Sequence, residues 1–359
     1  MINVTKTFLP PFEEYIRVLK KAWDISWVTN NGKLLQELET RLKEYLGVTN
    51  LMFCGNGTIV LQMALKALNI TKEVITTPFS YVATANAILW EGCKPVFVDI
   101  DPVTLCIDAN KIEAAITQDT QAILATHVYG KPCDVERIKV IAAKHGLKVI
   151  YDAAHSFGVN YNGKSLLSYG DISTCSFHAT KVFHTVEGGC IICQDDELAK
   201  KLFLYRSFGH LADDYFSIGI NGKNSEFHAA MGLVNLNYLA EIIKKRRALS
   251  NYYDEKLRGL SIEIPVVPPG VEYNYAYYPV IFKSESQLLK AIKILNEMSI
   301  FPRRYFFPSL NTLPFMDSSD HCPHSESISK RVICLPLFHD LELKDIDSIA
   351  EVLQNTEVR

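Results

Sequence analysis

Nowhere does this chain run apolar for the roughly 20 residues that a membrane-spanning helix requires, so no membrane partner is expected. It has no basic excess: 37 Lys and Arg against 40 Asp and Glu leave a net charge of −3, which argues against nucleic acid as a partner. Met1-Ile2-Asn3-Val4-Thr5-Lys6 lacks the charged-then-apolar plan of a signal peptide, and a cytoplasmic protein is the expectation. Nine cysteines are present; an odd number without an export signal favours reduced thiols. Cys190-Ile191-Ile192-Cys193 has no second ligand pair at zinc spacing, so no metal is expected. Its isoleucines and the preceding Gly188-Gly189 predict a buried strand instead. The sequons at Asn3 and Asn56 carry no weight in a chain expected to stay inside the cell. The G-x-x-x-x-G-K-[ST] spacing of a P-loop is absent, and Gly55-Asn56-Gly57 lacks the third glycine of a dinucleotide fingerprint. No internal repeat or low-complexity stretch is present.

What remains is a globular pattern, 48% hydrophobic and 21% charged over 359 residues, enough for one large core and a smaller second one. Short apolar segments at 51–53, 73–76, 95–98, 121–126 and 147–151 read as strands. Helical periodicity fits between them at 58–68, 81–90, 108–116 and 134–145. Such alternation indicates parallel βαβ units, an α/β protein. An arm and a helix over about Glu13–Trp23 come first, then a helix from Leu34 that Gly47 closes. Strand Cys190–Cys193 leads into a helix from Asp195 to Arg206, and a long helical pattern runs from Ser225 to about Leu257. Its basic middle, Lys244-Lys245-Arg246-Arg247, reads as a solvated face. The domain boundary is expected within this helix, dividing the chain into 1–240, with the N-terminal arm, and a smaller α+β unit, 241–359, with helices near 285–298 and 343–354.

Four stretches carry chemistry. Cys54-Gly55-Asn56-Gly57-Thr58 lies between a strand and a helix, where glycines let backbone N–H groups approach an anion at the helix's positive end. Pro78-Phe79-Ser80-Tyr81-Val82-Ala83-Thr84 fills the next such junction with an aromatic able to stack on a flat ring. Asp152-Ala153-Ala154-His155 follows the apolar run 147–151 and puts an acid at the carboxyl end of a parallel strand, where open α/β sheets bind ligands. Ser176-Phe177-His178-Ala179-Thr180-Lys181 then brings a lysine, followed by Glu187-Gly188-Gly189. A buried lysine becomes less basic and serves as nucleophile or base. An acid and a lysine in this order suit pyridoxal phosphate, which needs a Schiff-base lysine and a carboxylate on its ring nitrogen.

Together with Asn221 through Glu226, these motifs resemble the nucleotide-sugar aminotransferases, fold-type-I pyridoxal phosphate enzymes, from about Phe8 to the C-terminus. The resemblance implies a large domain with a mostly parallel central sheet flanked by helices, and a smaller C-terminal α+β domain. It implies Lys181 as the cofactor's covalent anchor, Asp152 on the pyridine nitrogen, Tyr81 on the ring and His155 near its hydroxyl. Gly57, Thr58 and Ser176 would hold the phosphate, with Asn221 reaching it from the neighbouring subunit of a homodimer. Glutamate would be the amino donor. The family also has a dehydratase branch with histidine at the lysine position; Lys181 puts this chain with the transaminases.

Phe301 through Leu310 and Gly219 through Phe227 look like the branch that aminates C4 of dTDP-4-keto-6-deoxyglucose, with His178, Arg304 and Tyr305 meeting the sugar nucleotide. Arg303 fits a surface turn as well as a binding role. Amination at C3, a UDP-linked sugar, and a non-catalytic homologue that binds cofactor or sugar nucleotide stay open at this point.

Overall fold

A computed structural model describes residues 1–357. Its centre is a seven-stranded sheet, in spatial order Asn50–Cys54, Gly189–Cys193, Ile172–Ser176, Lys148–Asp152, Thr120–Thr126, Glu73–Thr76, Lys94–Phe97. Only Gly189–Cys193 runs antiparallel to its neighbours. Strands in such a sheet are buried on both faces, which is why they read as continuous apolar runs. Successive side chains alternate between two cores: Phe53, Ile75, Ile123 and Tyr151 face one, and Met52, Val74, Leu124 and Ile150 the other.

The same alternation disposes of the C-x-x-C motif. Cys190 lies in the first core and Cys193 in the second, because residues three apart on a strand face opposite sides. All nine cysteines are buried and free.

Helix Lys33–Leu46 lays Leu34, Leu35, Leu38, Leu42 and Leu46 on one face of the sheet, beside the first half of helix Glu226–Lys256. Helix Gly57–Ala67 covers the other face through Val60, Leu61, Ala64 and Leu65. The long helix changes partners partway: Leu239 and Ile242 belong to the first core, Leu249 and Tyr253 to a third. That third core lies under strands Tyr278–Ile281 and Val332–Leu335 and helices Glu285–Glu297 and Leu343–Glu357.

Ile2–Asn3 pairs in parallel with Ile300–Phe301 and Ile2 packs on the third core. Three readings need correction. Strand Ile172–Ser176 escaped notice because its Ser-Thr-Cys interior is not apolar; two flanking strands satisfy its backbone. The 108–116 helix is a single turn, Ala109–Ile112, continued by a 3-10 turn to Ala115. Arg246 is not on a solvated face: it is buried and donates to the carbonyls of Tyr275 (2.8 Å) and Ala276 (2.6 Å).

Candidate active site

The carboxyl ends of the parallel strands open on a cavity of about 290 Å3. Gly57, Thr58, Tyr81, Asp152, His155, Ser176, His178, Lys181 and Tyr305 all line it, although they span some 250 residues of chain.

Lys181 stands on a loop pinned at both ends. Phe177 N–H donates to the Gly188 carbonyl (2.8 Å) and Thr185 N–H to the Phe177 carbonyl (2.9 Å). Phe177 and Phe183 are buried edge to face, and Lys181 N–H closes a turn on the His178 carbonyl at 2.9 Å. Burial draws the amine's pKa down, and the nearby Asp152 charge partly restores it. What the side chain leaves open faces the cavity.

Asp152 ends its strand as a buried carboxylate. Its Oδ2 accepts the Thr84 hydroxyl at 2.7 Å and its Oδ1 the Ala154 N–H at 3.1 Å. Burial pushes its pKa up, while these donors and Lys181 oppose the rise. His155, in the turn that follows, is stacked parallel to Phe306 and edge-on to Tyr277. Burial and Lys181 hold its pKa well below the usual imidazole value. Its Nδ1 is buried at the cavity wall with no partner among the described residues.

One end of the cavity is built by a helix start pressed against a strand end. A Cβ on Gly57 would lie 2.8 Å from Ser176 Cβ, so only glycine permits the approach. Asn56 caps helix Gly57–Ala67: its side chain accepts the N–H groups of Thr58 (3.0 Å) and Ile59 (2.8 Å). Among the described residues, the Gly57 N–H and the Thr58 and Ser176 hydroxyl protons find no acceptor in the protein.

At the rim, Tyr81 is 59% exposed. His178 Nδ1 accepts Thr180 N–H (3.2 Å) and meets the Thr180 hydroxyl (2.8 Å), while its Nε2 faces Glu187 at 3.5 Å. The Tyr305 ring packs edge-on to Tyr277.

One residue expected to meet the substrate lies elsewhere. Arg304 turns away from the cavity: its Nη2 donates to Glu285 (2.8 Å) and to the Lys330 carbonyl (2.9 Å), and its guanidinium stacks over Phe307. Arg303 lines the cavity in its place, with its guanidinium over the Tyr305 ring. Asn221 is exposed, outside its own chain's cavity, after a hairpin formed by His210–Leu211 and Asp214–Tyr215. Sequence reasoning left Arg303 open between a surface turn and a binding role; it singled out the stretches holding Ser80, Thr84, Thr180 and Phe306 without giving those residues a role, and it missed Tyr277 and Thr126. Thr126 had a usable signal, a polar residue closing a parallel strand next to Asp152, its register partner.

A family model described as the DegT/DnrJ/EryC1/StrS aminotransferase family matches residues 12–354. The chain is 42% identical over 360 residues to a dTDP-4-amino-4,6-dideoxy-D-glucose transaminase of Shigella dysenteriae, covering 98% of each chain. It is 41% identical over 364 residues to the Escherichia coli protein of that name, again covering 98% of each. Among solved structures, DesI in the presence of its TDP-sugar product superposes with a TM-score of 0.94. The two are 31% identical, and the match covers 100% of this chain and 93% of DesI.

Proposed function

This chain belongs to the DegT/DnrJ/EryC1/StrS aminotransferase family, and on that premise we propose that it moves an amino group from glutamate to C4 of dTDP-4-keto-6-deoxyglucose. The observation that carries the reading is the convergence of Lys181, Asp152 and the open start of helix Gly57–Ala67 on one cavity. The lining fits pyridoxal phosphate: a buried amine, a buried carboxylate, an unpartnered ring nitrogen on His155 and free donors at a helix's positive end. When bound, that cofactor supplies an electron sink and a temporary carrier for the amino group.

The chain's own residues supply the rest. Lys181 would anchor the cofactor through Nζ; that amine, set free once the donor's amino group takes its place and made less basic by burial, would take the proton from the donor's α-carbon and later deliver one to C4 of the sugar. Asp152 would hold the proton on the ring nitrogen. Gly57 N–H, Thr58 and Ser176 would bind the phosphate, Tyr81 would cover the ring, and His155 would meet its hydroxyl. His178, oriented by Thr180 and Glu187, and Tyr305 hold the sugar, with Arg303 for the diphosphate.

Phe208, Leu211, Tyr215, Phe216 and Ile218 form an exposed apolar surface leading to Asn221. We read it as covered by a second copy of the chain, with Asn221 reaching the partner's phosphate site. In line with the family expectation, the enzyme is a homodimer working in the cytoplasm.

Enzyme reconstituted with pyridoxal phosphate and glutamate is to be offered dTDP-4-keto-6-deoxyglucose, a 3-keto isomer and UDP-4-keto sugars, with product NMR as the readout. A 4-amino sugar from the first alone, with 2-oxoglutarate formed in equal amount, is the expected result. No product, or a preference for the 3-keto or UDP sugar, overturns the assignment.

The two adjacent arginines give a contrast. Arg303→Ala is expected to raise the KM for the sugar nucleotide about 10-fold, the effect of one lost charge-assisted bond, with thermal stability unchanged. Arg304→Ala is expected to leave that KM alone and lower Tm by a few degrees, having lost Glu285, a helix-end carbonyl and Phe307. The reverse pattern refutes the assignment.

A further inference from the structure

Three hydroxyl groups form a row that ends on Asp152, Thr84 shielded from the cavity and Ser80 and Thr126 at its wall, and neither the family likeness nor the reading of the reaction gives them work. Thr84 Oγ1 donates to Asp152 Oδ2 at 2.7 Å, Ser80 Oγ lies 2.7 Å from Thr84 Oγ1, and Thr126 Oγ1 donates to Ser80 Oγ at 3.1 Å. All three are buried, Thr84 completely. They come from separate elements: Ser80 from the loop after strand Glu73–Thr76, Thr84 from the first turn of helix Ala83–Trp90, and Thr126 from the end of strand Thr120–Thr126.

The proton order in this chain has one solution while Asp152 is ionised. A hydroxyl has a single proton. That of Thr84 goes to the carboxylate, so Ser80 must donate to Thr84 and accept from Thr126. Every proton in the row points toward Asp152, and each bond polarises the next. With Ala154 N–H on Oδ1, each carboxylate oxygen has one protein donor, and the remaining acceptor capacity is left for the cavity that Asp152 lines.

We propose that Thr84, backed by Ser80 and Thr126, is the positioning residue that keeps Asp152 an oriented, ionised acceptor for the ring nitrogen of the cofactor. It acts through Asp152 and touches neither substrate nor cofactor. The burial that raises the Asp152 pKa is opposed most strongly by the Thr84 bond, then by Ala154 and Lys181. The inference rests on Asp152 being the ring's partner.

The test uses the apo-protein and the reconstituted enzyme. The Asp152 carboxyl is followed by NMR with 13C-labelled aspartate and assigned by its loss in Asp152→Asn. The titratable groups around it, Lys181 and Cys175, are unchanged in every Thr84 and Ser80 variant. Thr84→Val, nearly the same shape, is expected to move the carboxyl titration upward and to weaken cofactor binding about 10-fold or more, the scale of a lost bond to a charged group. Thr84→Ser restores both. Ser80→Ala shifts both in the same direction by less, and it carries the test independently of how Thr84→Val folds. A wild-type titration and wild-type cofactor affinity in Thr84→Val and Ser80→Ala, with Asp152→Asn impaired, overturn the role of the row alone. An Asp152→Asn enzyme that binds cofactor and turns over like wild type overturns the assignment of Asp152, and this inference with it.

Discussion

Lys181→Ala is expected to lower transamination at least about 1,000-fold, because the proposed mechanism gives this one residue both the covalent anchor and the proton carrier. The fold should survive. Burial works against the charged form of Lys181, so removing the amine also removes a desolvation penalty. Asp152, left without that cation, still accepts from Thr84 and Ala154. The pinning bonds of the loop, Phe177 to Gly188 and Thr185 to Phe177, involve only backbone and are untouched. Initial rates of 2-oxoglutarate release, read beside thermal melts, separate loss of chemistry from loss of structure. Lys181→Arg is the informative companion, since it keeps the cation but offers no free amine near neutrality. Near-normal turnover by either variant removes the basis of the mechanism.

Asp152→Asn should reduce turnover by about 100- to 1,000-fold, the range for losing one preorganised electrostatic partner. The amide keeps the carboxyl's shape and its one oxygen can still accept from Thr84, but its NH2 then faces the Ala154 N–H, so melting temperature should fall by only a few degrees. What disappears is the negative charge. Without it the ring nitrogen has no anion to hold its proton, and the Lys181 amine, which the Asp152 charge partly holds up, falls further in pKa. The cofactor should also dissociate more readily. Wild-type kcat and cofactor retention in the Asp152→Asn variant show that the ring is held some other way.

Both predictions concern residues that stand out in the primary structure, for a reason that is local. A strand of about five residues followed by a helix leaves a carboxyl-terminal turn, and side chains there face the ligand side of an open sheet. Gly57 and Tyr81 sit at such strand-to-helix junctions, Asp152 and Ser176 end parallel strands that lead into loops on the same side, and the cavity gathers all four. The strand Ile172–Ser176 was invisible because its Ser-Thr-Cys interior breaks the apolar pattern. It forms because strands Lys148–Asp152 and Gly189–Cys193 pair with it from either side.

Arg303 and Arg304 show where local reading stops. They are neighbours of one residue type, and nothing along the chain separates them. Arg303 is bridged through its backbone to Cys334, and Glu285 together with the end of helix Pro323–Arg331 draws Arg304 outward. Those partners lie well beyond the few residues over which periodicity and turn chemistry act.

The order of strands and helices, the acid at a strand end and the lysine before its Gly-Gly pair followed from neighbours in the chain, because hydrophobic periodicity and turn chemistry act over a few residues. Which arginine enters the cavity, why Ile2 joins the far end of the chain, and how Ser80, Thr84 and Thr126 form a row that ends on Asp152 depended on packing. Each requires segments distant in sequence to meet at hydrogen-bonding distance, and no local pattern encodes such a meeting.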